Sequence, residues 1–232
     1  MRYTSTRRME REAKKLASEL NSQDIFGTKC WYSSASIFEE PATKVFIGTN
    51  PGGDRASQEL DLRKGYLELP YNKADYSAWL DEGWPDNGPK HQEAVVSTFR
   101  SMYGGTWEKQ MRGTASFNVV PFRSPSVAKL SPQAWRMGTD WSREVLEHLS
   151  PSLVICNGNS RSKSPWSVLH GFYSVEDSPD IPIGATGSTA SIKRGVIVSG
   201  SLHGCQISGL PSLSRFGWPE LYRKLSNLKP FP

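Results

Sequence analysis

Residues 45–54 read Val45-Phe46-Ile47-Gly48-Thr49-Asn50-Pro51-Gly52-Gly53-Asp54. Three apolar residues, two of them β-branched, run straight into a turn-forming stretch. The run is too short for a helix and has no polar alternation, so it reads as a strand buried on both faces. Three further runs share that character: Phe117 to Val120, Leu153 to Cys156, and Val196 to Val198. The gaps between the runs are long enough for the helical crossovers that parallel strands require. Helical patterns sit in those gaps. One covers His91 to Met102, with Val95, Val96 and Phe99 on one side; another covers Asp140 to Leu149, where Trp141, Val145 and Leu149 recur every four residues. Ser164-Pro165 predicts a short helix reaching His170, and Pro219 one reaching Leu225, with proline opening each. Alternating β and α elements predict an α/β fold in three layers, α/β/α, around a central four-stranded parallel sheet.

Toward the amino terminus, Met9, Ala13, Leu16, Ala17 and Leu20 fall at helical spacing and predict a helix within residues 1–22, its other face a solvated run of Arg, Lys and Glu. Residues 55–89 are less regular, and their later part is rich in aromatic and polar side chains. That stretch is too long for a plain crossover and reads as an irregular insertion near the site. No internal repeat is visible, and residues 1–232 fit a single domain.

Composition narrows the function classes. With 37% hydrophobic and 22% charged residues and a mean hydropathy of -0.51, the chain has the profile of an ordinary globular protein. No apolar stretch approaches the roughly 20 residues needed to span a bilayer. The amino terminus carries positive charge without an apolar segment, so the expectation is a cytoplasmic protein with no membrane partner. Cys30, Cys156 and Cys205 cannot make a four-thiolate cluster, and His91, His148, His170 and His203 are scattered. Neither a metal nor another cofactor is expected. A net charge of +5 and a pI of about 9.1 suit a polyanionic partner.

In a doubly wound sheet ligands bind beyond the carboxyl ends of the strands. The residues there are Gly48 to Asp54, then Asn118 with Pro121 to Ser124, then Asn157 to Lys163, then Ser199 to Gly204. All four sets are mostly small or polar, able to bring backbone close to a ligand, and two amides, Asn50 and Asn118, would converge there with the imidazole of His203. Each has a plainer reading: Asn-Pro-Gly-Gly is an ordinary turn, Asn118 can satisfy backbone, and Asp54 after Gly-Gly can cap the next helix.

Taken in order, these segments resemble the uracil-DNA glycosylase superfamily. Val45 to Gly52 is similar to its first motif, in the G-x-N-P-G form of the mismatch-specific and single-strand-selective branches. Phe117-Asn118-Val119-Val120-Pro121 resembles the strand carrying its base-reading Asn, and Leu149 to Gly158 its helix-then-strand segment. The resemblance spans Val45 to Leu221. Its final motif is usually His-Pro-Ser or Asn-Pro-Ser; here Leu202-His203-Gly204-Cys205-Gln206 matches in the His alone. The resemblance implies a monomeric, cofactor-free enzyme that flips a pyrimidine out of DNA and hydrolyses its N-glycosidic bond. Asn50 would hold the attacking water, Asn118 would read the base edge, and His203 would donate to the leaving base. Gly48, Thr49, Pro51, Gly52 and Gly53 would wall the base. Phe122, Tyr66 or Tyr71 would stack on it, the choice among them open. Asp54 would favour the cationic sugar or act as a base, or else cap a helix. Ser160, Arg161, Lys163 and Arg215 would touch phosphates or be ordinary loop charges.

The glycines carry a further expectation. In the strict uracil-excising branch a bulky aromatic soon after the first motif excludes a C5 methyl; Gly52 and Gly53 would leave room for a 5-substituent, unless they only serve a tight turn. Alternatives are a phage-defence glycosylase for hypermodified cytosine, a catalytically silent DNA-binding relative, and an unrelated protein using residues 50–53 as a phosphate cradle.

Overall fold

The computed structural model describes residues 4–20, 24–84, 88–183, 190–213 and 219–228. Its sheet has six strands: β1 (Lys44–Gly48), β2 (Ala115–Asn118), β3 (Leu153–Asn157), β4 (Val175–Pro182), β5 (Ser191–Ile197) and β6 (Gln206–Leu210), in the order β2-β1-β3-β6-β5-β4. The first four of that order run parallel, whereas β5 is antiparallel to both its neighbours, β6 and β4. The sheet is therefore mixed and six-stranded, not the four-stranded parallel sheet that the apolar runs predict. Three of the predicted strands stand within a residue or two. The fourth, Val196 to Val198, belongs to the end of β5, and the fourth parallel strand is β6.

Strand alternation sorts the core into two faces. Val45, Ile47, Phe117, Val154, Cys156 and Ile207 face α1 (Thr4–Leu20), and behind them lie α7 (Pro132–Leu149) and α8 (Pro165–Phe172). Phe46, Leu153, Ile155 and Leu210 face α5 (Gly88–Tyr103) and α9 (Pro219–Asn227). Helices thus cover both faces, giving three layers. The Trp141 indole N–H donates to the Met9 carbonyl at 3.0 Å and ties α7 to α1. Both α7 and α8 begin on a serine cap with proline at the first turn, Ser131-Pro132 and Ser164-Pro165.

The insertion is more regular than its composition predicts. It holds α2 (Arg55–Arg63), α3 (Leu69–Asn72) and α4 (Ala78–Asp81), with α6 (Trp107–Arg112) following α5. Its aromatics are largely structural: Trp79 packs edge-on to Phe46 of β1 at 5.8 Å and stacks on Tyr32 at 5.2 Å. Among the described residues no helix is long and apolar enough to cross a membrane.

Candidate functional site

The chain reverses direction at β1, because β2 lies on one side of it and β3 on the other. A crevice opens at such a switch point, beyond the carboxyl ends of the two central strands. The turn Thr49–Asp54 leaves β1 there, and Gly158–Lys163 leaves β3. The two loops meet, with Thr49 Oγ1 only 3.8 Å from where a Cβ on Gly158 would stand.

The β1 turn is docked on the segment leaving β2. Val119 and Val120 donate to the Gly48 and Thr49 carbonyls, each at 2.9 Å, and Ser124 donates to Pro51 at 3.1 Å. Asn50 adds a side-chain clamp: its Nδ2 donates to Ser124 O at 3.2 Å and to Pro51 O at 3.1 Å. Two carbonyl partners assign the amide orientation, since only the NH2 can donate to them. That leaves Oδ1 as an acceptor with no partner among the described residues. The N–H groups of Asn50, Gly52 and Gly53 likewise meet no acceptor among the described residues.

Asn118 comes to the same edge. It pairs with Gly48 across the β1–β2 ladder, and a Cβ at position 48 would overlap its Oδ1. Glycine is therefore what lets the Asn118 amide lie across the end of β1. The amide lies beside the hydroxyl of Tyr32, a buried residue. Burial pushes that phenol well above its ordinary range, an effect that Arg123 and the Asn118 amide only partly offset. Tyr32 is a neutral partner.

The neighbouring glycines differ. Gly52 has nothing within 4 Å of its Cβ position, whereas Gly53 has φ +99° and would set a Cβ 2.7 Å from Ser57 Cβ. The open space beside the turn therefore lies at Gly52; Gly53 serves the turn. Asp54 caps α2, accepting from Ser57 N at 3.0 Å, in a reciprocal capping box. The backbone bond from Ser57 is the main cause of its lowered pKa. Its carboxylate is thus occupied in starting a helix.

Of the three stacking candidates, Phe122 is fully buried in the core. Tyr71 is tied to α1, with its hydroxyl bonded to Glu10 and Trp31 and the Arg7 guanidinium 3.4 Å above its ring. Only Tyr66 is half-buried, its hydroxyl accepting from Gly83 N at 3.2 Å.

His203 falls elsewhere. Because β5 is antiparallel, the hairpin joining it to β6 lies at the amino end of the parallel strands. His203 sits exposed in that hairpin, across the sheet from Asn50 and Asn118. At the site edge β6 runs instead into Pro211-Ser212-Leu213. A Pro-Ser pair thus follows β6 at 211–212, directly after Leu210. Leu213 N–H donates to Asn157 Oδ1 at 3.0 Å. Ser160, Arg161 and Lys163 are exposed at the site edge, and neither cation pairs with a carboxylate among the described residues. Arg215 lies outside the described residues.

Sequence reasoning missed Tyr32, beside Asn118, and gave no role to Ser124, which accepts from Asn50, or to Arg123, which holds the Gly52 carbonyl. Position after β2 was the available signal for the last two; nothing local marks Tyr32. Among the described residues no group of three or more His, Cys, Asp or Glu side chains could hold a metal. Comparison of the chain with family models and with curated proteins gives no match.

Proposed function

We propose that this protein is a DNA glycosylase of the uracil-DNA glycosylase type, hydrolysing the N-glycosidic bond of a pyrimidine flipped into the crevice between β1 and β3. One observation carries the reading: the Asn50 amide, clamped through Nδ2, and the Asn118 amide, laid across Gly48, converge at the carboxyl edge of the switch point. In the reaction the C1′–N1 bond breaks and its electron pair leaves with the base, giving an oxocarbenium-like sugar. A water oxygen adds to C1′, its proton is lost, and N1 of the base is protonated. The products are the base and an abasic site.

Asn50 Oδ1 accepts a hydrogen bond from that water. A carboxamide takes no proton at neutral pH, so it positions the nucleophile rather than activating it. Asn118 offers donor and acceptor to the base edge. With Leu210 ahead of the Pro-Ser pair and His203 across the sheet, the unengaged N–H groups of residues 50, 52 and 53 are the available donors for negative charge on the leaving base. Backbone donors of this kind can contribute about 3–4 kcal/mol.

The test is to incubate the purified protein with duplex and single-stranded DNAs carrying uracil, thymine, cytosine or 5-substituted cytosines, then count alkali-labile sites. Abasic sites at one or more pyrimidines support the reading. DNA binding without any abasic site assigns a silent relative, and mononucleotide binding without DNA affinity assigns a phosphate cradle.

A further inference from the structure

Gly52, at the tip of the β1 turn, has no side chain and no neighbour around its Cβ position, so packing does not hold it. Its carbonyl is held instead, accepting from Arg123 Nη1 at 2.6 Å. The same guanidinium donates through Nε to Gln58 Oε1 at 3.2 Å and through Nη2 to Asp61. Asp61 and Gln58 belong to α2, the helix that Asp54 caps. Lys29 joins from the segment before β1, with Nζ 3.5 Å from Asp61 and 2.5 Å from Glu82, which also accepts from the Tyr76 hydroxyl. Lys29, Asp61, Glu82 and Arg123 are all buried, two cations against two anions.

A buried ion network of this kind is a poor source of stability, because desolvation of each ion offsets the attraction. Its geometry has another use. Arg123 addresses three acceptors on two elements at once, which a planar five-donor fork does and a lysine ammonium cannot. One of the three is the turn that carries Asn50, and Ser124, next in sequence, accepts the Asn50 clamp. We propose that Arg123, fixed by Asp61, is a positioning residue: it sets the height of the 50–53 turn and so the aim of Asn50 Oδ1 at the attacking water. The inference rests on the glycosylase reading of the site.

The test pairs Arg123→Lys with Asn50→Ala and uses two readouts. Amide hydrogen exchange is followed in the peptide covering residues 119–124, whose Val119, Val120 and Ser124 amides donate to the carbonyls of Gly48, Thr49 and Pro51, and single-turnover excision is measured well below the melting temperature. Expected are faster exchange in that peptide with β1 unchanged, and about a tenfold loss of rate in the parent background but none beyond Asn50→Ala in the double variant. Gln58→Ala, which strands no buried charge, should show the same pattern at about threefold if Arg123→Lys does not fold. Unchanged exchange overturns the proposal, and so does an equal rate loss with and without Asn50. If the parent excises nothing, the glycosylase reading fails, and the exchange result alone decides whether Arg123 positions the turn.

Discussion

At the residue scale the two adjacent glycines separate what one motif string leaves merged. Gly53 is fixed by its positive φ and by Ser57 beneath it, so any side chain there strains the turn before it meets a substrate. Gly52 faces open space. Gly52→Tyr is therefore expected to leave uracil excision within about threefold while abolishing excision of 5-substituted pyrimidines, in a side-by-side assay of both substrates. Equal effects on the two would mean the 5-substituent lies elsewhere. The Asn50 and Asn118 positions were legible because both follow apolar runs directly. Their partners were not: Tyr32 is 86 residues from Asn118 in sequence, and only the fold brings its hydroxyl to that amide.

At the element scale the misplaced fourth strand has a physical cause. Val196-Ile197-Val198 is apolar, but Ile197 is buried while Val196 and Val198 are 37% and 42% exposed, the alternation of a strand with one wet face. The true parallel strand, Gln206-Ile207-Ser208-Gly209-Leu210, looks polar because Trp166 and Asn159 occupy the space a side chain on Gly209 would need. Burial there goes with small size, which hydrophobicity does not register. The slip puts the imidazole of His203 at the amino end of the parallel strands, the opposite edge from Asn50 and Asn118. His203→Ala should accordingly leave single-turnover excision unchanged; a loss of tenfold or more would return His203 to the site. His91 on α5 stands edge-on to Trp79 at 5.7 Å. Burial lowers its pKa from 6.5 to about 4, against an opposing effect of the Leu213 backbone. Between those values the unfolded chain binds a proton that the fold does not, so the His91 contribution to stability is lost as pH falls from about 6.5 toward 4. Denaturant midpoints across that window should fall in the parent and fall less in His91→Gln; parallel curves would exclude His91 as the cause.

At the scale of the whole molecule, three-layer packing was legible from strand and helix periodicity, while the antiparallel β4–β5 edge was not, since no β4 residue is buried and both strands carry charge. The net charge of +5 acquires a direction from the structure, with Arg161 and Lys163 exposed beside the crevice. DNA affinity should fall steeply with salt, and replacing both by Ala should lower the slope of log K against log salt by up to about 1.8 on duplex. An unchanged slope would put the phosphates on another surface. The most direct test of the site itself is single-turnover excision by Asn50→Ala, with DNA binding measured on the same preparation. The expected result is a rate at least about a hundredfold lower, about 2.7 kcal/mol of transition-state stabilisation, with affinity changed by less than about threefold. Undiminished excision by Asn50→Ala would contradict the assignment of the β1 turn as the reacting centre.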